Sequence, residues 1–165
     1  MISKKLEDAL NKQINEEIFS AYLYLSMAAY FHSLNLDGFA AWMKAQSQEE
    51  MSHAMKLFGF LGETGARISL LAVKEPEKNW KSPLAAFTAV ARHEHYITGC
   101  IDGLYRLAGS EKNNPVQIML QWFIKEQVEE EAVAAKIVYK LNQIKDNVGG
   151  LWILDKELGA RQNKS

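Results

Sequence analysis

Four stretches of this chain, each roughly thirty residues long, set apolar side chains on strict seven-residue lines. A chain patterned this way has few choices but a bundle of long helices. In the first stretch one line runs Leu10, Glu17, Tyr24, Phe31, flanked by Ile14, Ala21 and Ala28. In the second the lines are Met43, Glu50, Leu57 and Gln46, His53, Phe60. The third carries Phe87, Glu94, Ile101, Ala108 beside Val90, Ile97, Leu104. The fourth carries Leu120, Gln127, Ala134, Leu141 beside Val116, Phe123, Glu130, Ile137, Ile144. The breaks in these seams are Glu17, Glu50 with His53, Glu94, and Gln127 with Glu130.

The breaks fall near the midpoint of every stretch. Helices of this length span about 45 Å, and in an antiparallel bundle their midpoints share one level. Four carboxylates, one imidazole and one amide therefore converge in the core. A buried, unpaired carboxylate costs many kcal/mol or takes up a proton, and four together repel. No seam position holds Lys or Arg, so a cation is expected. Carboxylates with a single imidazole suit iron, manganese or zinc rather than a soft metal. Carboxylates reaching between helices favour two metals close together, with Glu50 and Glu94 facing each other as bridges. Glu50 and His53, one turn apart, form the i, i+3 pair typical of di-metal bundles.

Boundary signals place the predicted helices. The first runs from about Ser3 to Ser33, and "NLDG" at 35–38 turns the chain, with Asp37 as an expected N-cap. The second ends near Glu63. Residues 65–82 form a long connection, closed by Ser82–Pro83 as N-cap and N1. The third runs to about Ala108 and the fourth from Asn114–Pro115 to about Asp146. "NVGG" stops it, and "LWILDKELGA" forms a short fifth helix at about 150–160. Short turns make antiparallel pairs, and the long connection lets the second and third helices run parallel. The expectation is one all-α domain over residues 1–165: a four-helix bundle with a long crossover and a short C-terminal helix.

Charge and composition exclude other classes. The net charge is −1, so neither nucleic acid nor an anionic membrane is indicated as partner. No run of about 18 apolar residues exists to span a membrane. The N-terminus turns amphipathic at once, without the apolar region of a signal peptide. The one cysteine, Cys100, permits neither an internal disulfide nor a cysteine zinc site, and a reducing cytoplasm fits. Cys100 itself reads as a small buried hydrophobe. His93 and His95 are expected to point away from the metals, His32 and Glu131 to lie at the surface, and Trp122 to pack in the core or an interface.

The segments "LNKQINEEIFSAYLYL", "QEEMSHAMKLFGFL", "ARHEHYI", "WFIKEQVEEE" and "GGLWILDKEL" resemble those of the bacterial non-haem ferritins, in the ferritin-like superfamily. The resemblance covers essentially the whole chain. It implies a ferroxidase centre, with Glu17, Glu50 and His53 at one metal and Glu94 and Glu130 at the other. Glu50 would be the bridge and Gln127 a close neighbour. It also implies a third iron site on the inner side, mapping to Glu49, Glu126, Glu129 and Glu130. The pairs Glu126–Glu129 and Glu126–Glu130 are like charges one turn apart and cost a few tenths of a kcal/mol each. Tyr24 would be a redox-active or hydrogen-bonding neighbour of the centre.

The same resemblance implies iron storage: Fe(II) oxidised by dioxygen or hydrogen peroxide, with ferric oxyhydroxide deposited inside a hollow shell of twenty-four subunits. Gln127, standing where a fifth carboxylate could, would hold the second metal more weakly and let Fe(III) leave. Haem is not expected, although Met51 stands where bacterioferritins ligate it. Those proteins carry a second Glu-x-x-His where this chain has Gln127-Val128-Glu129-Glu130. Two other readings stay open: a di-iron oxidase or peroxidase that stores nothing, and a non-catalytic helical interaction bundle.

Overall fold

The computed structural model describes residues 2–161, and among these it forms five helices: α1 (Lys4–Ser33), α2 (Asp37–Glu63), α3 (Pro83–Ser110), α4 (Asn114–Ile144) and α5 (Val148–Gly159). Four of the five starts are capped locally. Ser3 Oγ accepts from the Leu6 N–H at 3.1 Å, Ser82 Oγ from Ala85 at 3.1 Å, Asn113 Oδ1 from Val116 at 3.3 Å and Asn147 Oδ1 from Gly150 at 2.9 Å. Pro83 and Pro115 occupy first-turn positions, where a missing N–H costs nothing.

The start of α2 differs from expectation. Its N-cap is Leu36, which offers no acceptor, and Asp37 is already helical. The Asp37 carboxylate faces back to His32 Nδ1 at 3.1 Å instead. The cap comes from across the chain: Asp155 Oδ1 on α5 accepts from the Phe39 N–H at 2.9 Å.

The crossover is tied to α1 along its length. Asn11 donates to the Arg67 carbonyl at 2.9 Å and accepts from the Ser69 N–H at 2.8 Å. Asn15 donates to the Ala72 carbonyl at 3.1 Å, and Ser26 to that of Glu77 at 2.6 Å. Trp80 ends the climb against Tyr30, ring centroids 5.3 Å apart. The climb delivers Phe87, near the start of α3, to Phe39 near the start of α2, centroids 5.8 Å apart, so α2 and α3 run parallel.

The apolar core is in two halves. One gathers Met27, Phe31, Phe39 and Phe87, with Leu154 and Leu158 of α5. The other gathers Leu6, Leu10, Leu57, Ile101 and Leu120. Between them lies the polar layer that the seam breaks predict.

Candidate metal centre

Glu17, Glu50, His53, Glu94, Gln127 and Glu130 are all buried, none more than 5 % exposed. Heptad spacing on four helices, read at the level where the two apolar halves part, brings them together. Glu17, Glu50 and His53 can each offer one ligand atom within 4.8 Å of the others; so can Glu50, Glu94 and Glu130. Glu50 is the member shared by both triplets.

Neutral donors hold the carboxylates in place. Gln13 Nε2 donates to Glu17 Oε1 at 2.8 Å, and Gln46 Nε2 donates to both Glu50 Oε1 and Glu130 Oε2 at 2.8 Å. Gln127 Nε2 reaches Glu94 Oε2 at 3.2 Å, and the Tyr24 hydroxyl donates to Glu94 Oε1. Inside the layer, His53 Nδ1 makes an ionic contact with Glu50 Oε2 at 3.2 Å. Glu17 Oε2 and Glu130 Oε1 are buried with no hydrogen-bond partner among the described residues. A buried carboxylate oxygen without a donor carries the full cost of its lost hydration. One such oxygen in each triplet, beside hard donors and a single imidazole, fits a pair of divalent iron-like cations.

The electrostatics agree. Burial, then repulsion from Glu50, pushes Glu17 up to about 8 and Glu130 up to about 7. The same two causes hold Glu94 well above the carboxylate range. Burial, then the Glu94 charge, keeps Tyr24 a neutral phenol far above 10. For His53, burial opposes the charge, but the Glu50 hydrogen bond and the surrounding carboxylates outweigh it and raise it to about 9. Every one of these groups holds its proton longer in the folded than in the unfolded chain. Folding therefore binds protons, and stability falls as pH rises. For Glu17 and Glu130 the loss begins at their ordinary 4.5 and ends near 8 and 7; for His53 it runs from 6.5 to about 9. Chelator-treated protein should show its urea midpoint dropping steadily between these limits, and Glu17→Gln should flatten the lower part of the curve. A midpoint that rises across that range would contradict the assignment.

A further group lies beside the first two: Glu49, His53, Glu126 and Glu130. The sequence expectation had Glu129 rather than His53 in this set. Glu129 is exposed on α4, outside this group, while His53 turns its ring between Glu50 and the Glu49 side.

Several neighbours also differ from expectation. Glu131 is half-buried, not a free surface group: it accepts from Thr98 Oγ1 at 2.5 Å. Thr98 Oγ1 in turn lies 3.3 Å from Gln127 Nε2. Among the described residues His93 belongs to none of the metal-capable groups, in line with expectation, yet it packs inward, its Nε2 2.7 Å from Ser20 Oγ and its ring edge-on to Tyr24. Burial lowers its affinity for a proton. His95 is exposed, as expected, and so is Met51. Cys100 is half-buried rather than buried, and burial pushes its thiol up. Trp122 stands edge-on to His53 at 5.3 Å, with Lys56 Nζ 4.3 Å from its ring centroid.

Sequence reasoning did not single out Gln13, Gln46 or Arg161. Gln46 lies on a seam line and Gln13 beside one, each an amide one turn before a carboxylate (Glu50 and Glu17), and that spacing was the available signal. Arg161, beyond the last helix, gave none. Its Nη1 donates to Gln46 Oε1 at 2.8 Å and its Nη2 to Glu49 Oε2 at 2.6 Å.

A four-helix bundle with a long crossover and two metal-capable triplets sharing Glu50 at mid-height has the architecture of the helical bundles that hold metals between facing helices. Residues 7–144 match the family model described as a ferritin-like domain, and the chain belongs to that family. It is 40% identical over 161 residues to a bacterial non-heme ferritin of Bacteroides fragilis, covering 98% of this chain and 100% of the relative. It is 40% identical over 156 residues to that of Campylobacter jejuni, covering 94% and 93%. Among solved structures, the open pore ferritin of the hyperthermophilic archaeon Archaeoglobus fulgidus superposes with a TM-score of 0.98. Identity there is 53%, covering 98% of this chain and 100% of that one.

Proposed function

We propose that this chain is an iron-storage ferroxidase whose substrate, Fe(II), is oxidised at the mid-bundle centre. The observation that carries the reading is Glu50, which stands in both ligand triplets and so can bridge two irons. Glu17 and His53 complete one iron's protein ligands, Glu94 and Glu130 the other's. Each Fe(II) gives up one electron. Dioxygen accepts the two and leaves, with two protons, as hydrogen peroxide; peroxide as oxidant would instead yield water. Binding needs the carboxylates ionised and His53 neutral, so metal entry expels the protons that these groups hold.

Ionised carboxylates bind Fe(III) more strongly than Fe(II), which pulls the reaction forward. Gln127 adds no charge to the second iron, which eases departure of the product. The acidic group of Glu49, Glu126 and Glu130, with Glu129 beyond it, is the proposed third iron site and the way inward. The mineral, a ferric oxyhydroxide, requires an enclosed space that one bundle lacks, and the proposed assembly is a hollow shell of twenty-four subunits in the cytoplasm. No helix of the described residues is long and apolar enough to cross a membrane.

Aerobic addition of Fe(II), followed by ferric absorbance and by light scattering, tests both halves. The expected result is oxidation faster than in buffer, with the product held in a particle far larger than a dimer. Oxidation no faster than buffer would overturn the ferroxidase. Fast oxidation by a dimer-sized particle would leave a di-iron oxidase without storage.

A further inference from the structure

Among the described residues, the Gln46 amide is the neutral group that touches both Glu50 and Glu130, and it can do so in one orientation only. Its NH₂ end must face the two carboxylates, because its oxygen there would repel both. The opposite end is fixed by Arg161. A guanidinium carries donors and no acceptor, so only Gln46 Oε1 can meet Nη1, and the contact is 2.8 Å. The two Gln46 hydrogens are thereby aimed at Glu50 Oε1 and Glu130 Oε2, both at 2.8 Å.

Arg161 is itself held on three sides. Its second arm pairs with Glu49 Oε2 at 2.6 Å, and its guanidinium lies over the Trp42 ring, 4.7 Å from the centroid. Only 20% of its side chain is exposed. A planar fork engaging two acceptors while stacked on an indole is an arrangement that lysine cannot reproduce in full.

We propose that Arg161 is a positioning residue for the metal centre: acting through Gln46, it holds Glu50 and Glu130 at the spacing where they share a cation. The integrity of the C-terminal segment is thereby read out at the centre. This rests on the metal-binding reading above.

The test is anaerobic Co(II) titration of the assembled protein, Co(II) standing in for Fe(II) without redox chemistry, followed by its visible absorption. The parent should take up two Co(II) per subunit in the two triplets that share Glu50, apart from any held by the Glu49–Glu126 group. Arg161→Ala should weaken the weaker of the two by about tenfold, the scale at which a ligand's supporting group acts. Arg161→Lys should recover part of the loss. In a Gln46→Met background, Arg161→Ala should add no further loss.

The sign separates positioning from charge. Removing a cation beside carboxylates, by itself, strengthens metal binding. A tighter or unchanged Arg161→Ala site would therefore overturn the proposal, and so would an equal loss in the Gln46→Met background. A parent that binds no Co(II) would instead refute the metal centre itself. Denaturation midpoints of all four variants distinguish a weaker site from a loosened fold.

Discussion

Glu50→Ala should lower the rate of Fe(II) oxidation at least about a hundredfold, more than the loss of any other single side chain in the centre. Removing a group that merely supports a ligand costs about ten- to a hundredfold, and Glu50 is a ligand candidate in both triplets. Glu17→Ala or Glu94→Ala deletes one arm of one triplet and leaves the other complete. Glu50→Ala leaves neither complete, and it removes the contact that fixes the His53 ring. Stopped-flow oxidation at equal subunit concentration measures the difference. Parent-like turnover in Glu50→Ala would remove the bridge from the mechanism.

Glu50→Gln separates activity from folding, because the two should move in opposite directions. Repulsion from Glu50 is the second cause, after burial, that raises Glu17, Glu94 and Glu130. An amide of nearly the same volume relieves that repulsion without opening a cavity. Above about pH 9, where His53 is neutral and no ion pair is lost, chelator-treated Glu50→Gln should therefore be more stable than the parent by about 1–2 kcal/mol. It should oxidise iron as poorly as Glu50→Ala. A site that costs stability when empty of cations is built for binding.

The ligand candidates were legible because charge at a heptad position is an anomaly that needs no second residue to notice. Glu17, Glu50, Glu94 and Glu130 each break an apolar line, and helical periodicity alone sets them at one height. The amides were not legible in the same way. Gln46 sits on a seam and Gln13 beside one, yet a buried amide can be satisfied by the backbone, so nothing at those positions demands a partner. That His93 packs inward was not legible, for a geometric reason. One residue before Glu94 is a rotation of about 100° on a helix, which leaves the metal layer but reaches Ser20 and Tyr24 on α1. The cap of α2 and the fork of Arg161 are tertiary facts. Asp155 lies 116 positions from Phe39 and Arg161 lies 115 from Gln46, and no local pattern links them.

Gly38→Ala should be the most damaging small substitution outside the centre. A Cβ at Gly38 would stand 1.7 Å from the Asp155 carbonyl oxygen and 2.5 Å from its carbon, both backbone atoms of α5. No side-chain rotation relieves that overlap, so α5 must move as a body. Moving it pulls Asp155 from the Phe39 N–H, the side-chain cap of α2, and lifts Leu154 and Leu158 from the core. Overpacking of this kind costs about 3 kcal/mol, and loss of a cap about 1 kcal/mol more. Gly59→Ala is the matched control. Its Cβ meets nothing within 4 Å, and alanine in an open helical position should instead add up to about 1 kcal/mol. Urea midpoints should thus shift in opposite directions for the same chemical change on the same helix. Because α5 leads to Arg161, Gly38→Ala should also weaken Co(II) binding as Arg161→Ala does, at urea concentrations where the bundle is still folded. A Gly38→Ala protein with the parent's stability and Co(II) affinity would show that α5 can leave α2 without cost, and that its docking supports neither the fold nor the centre.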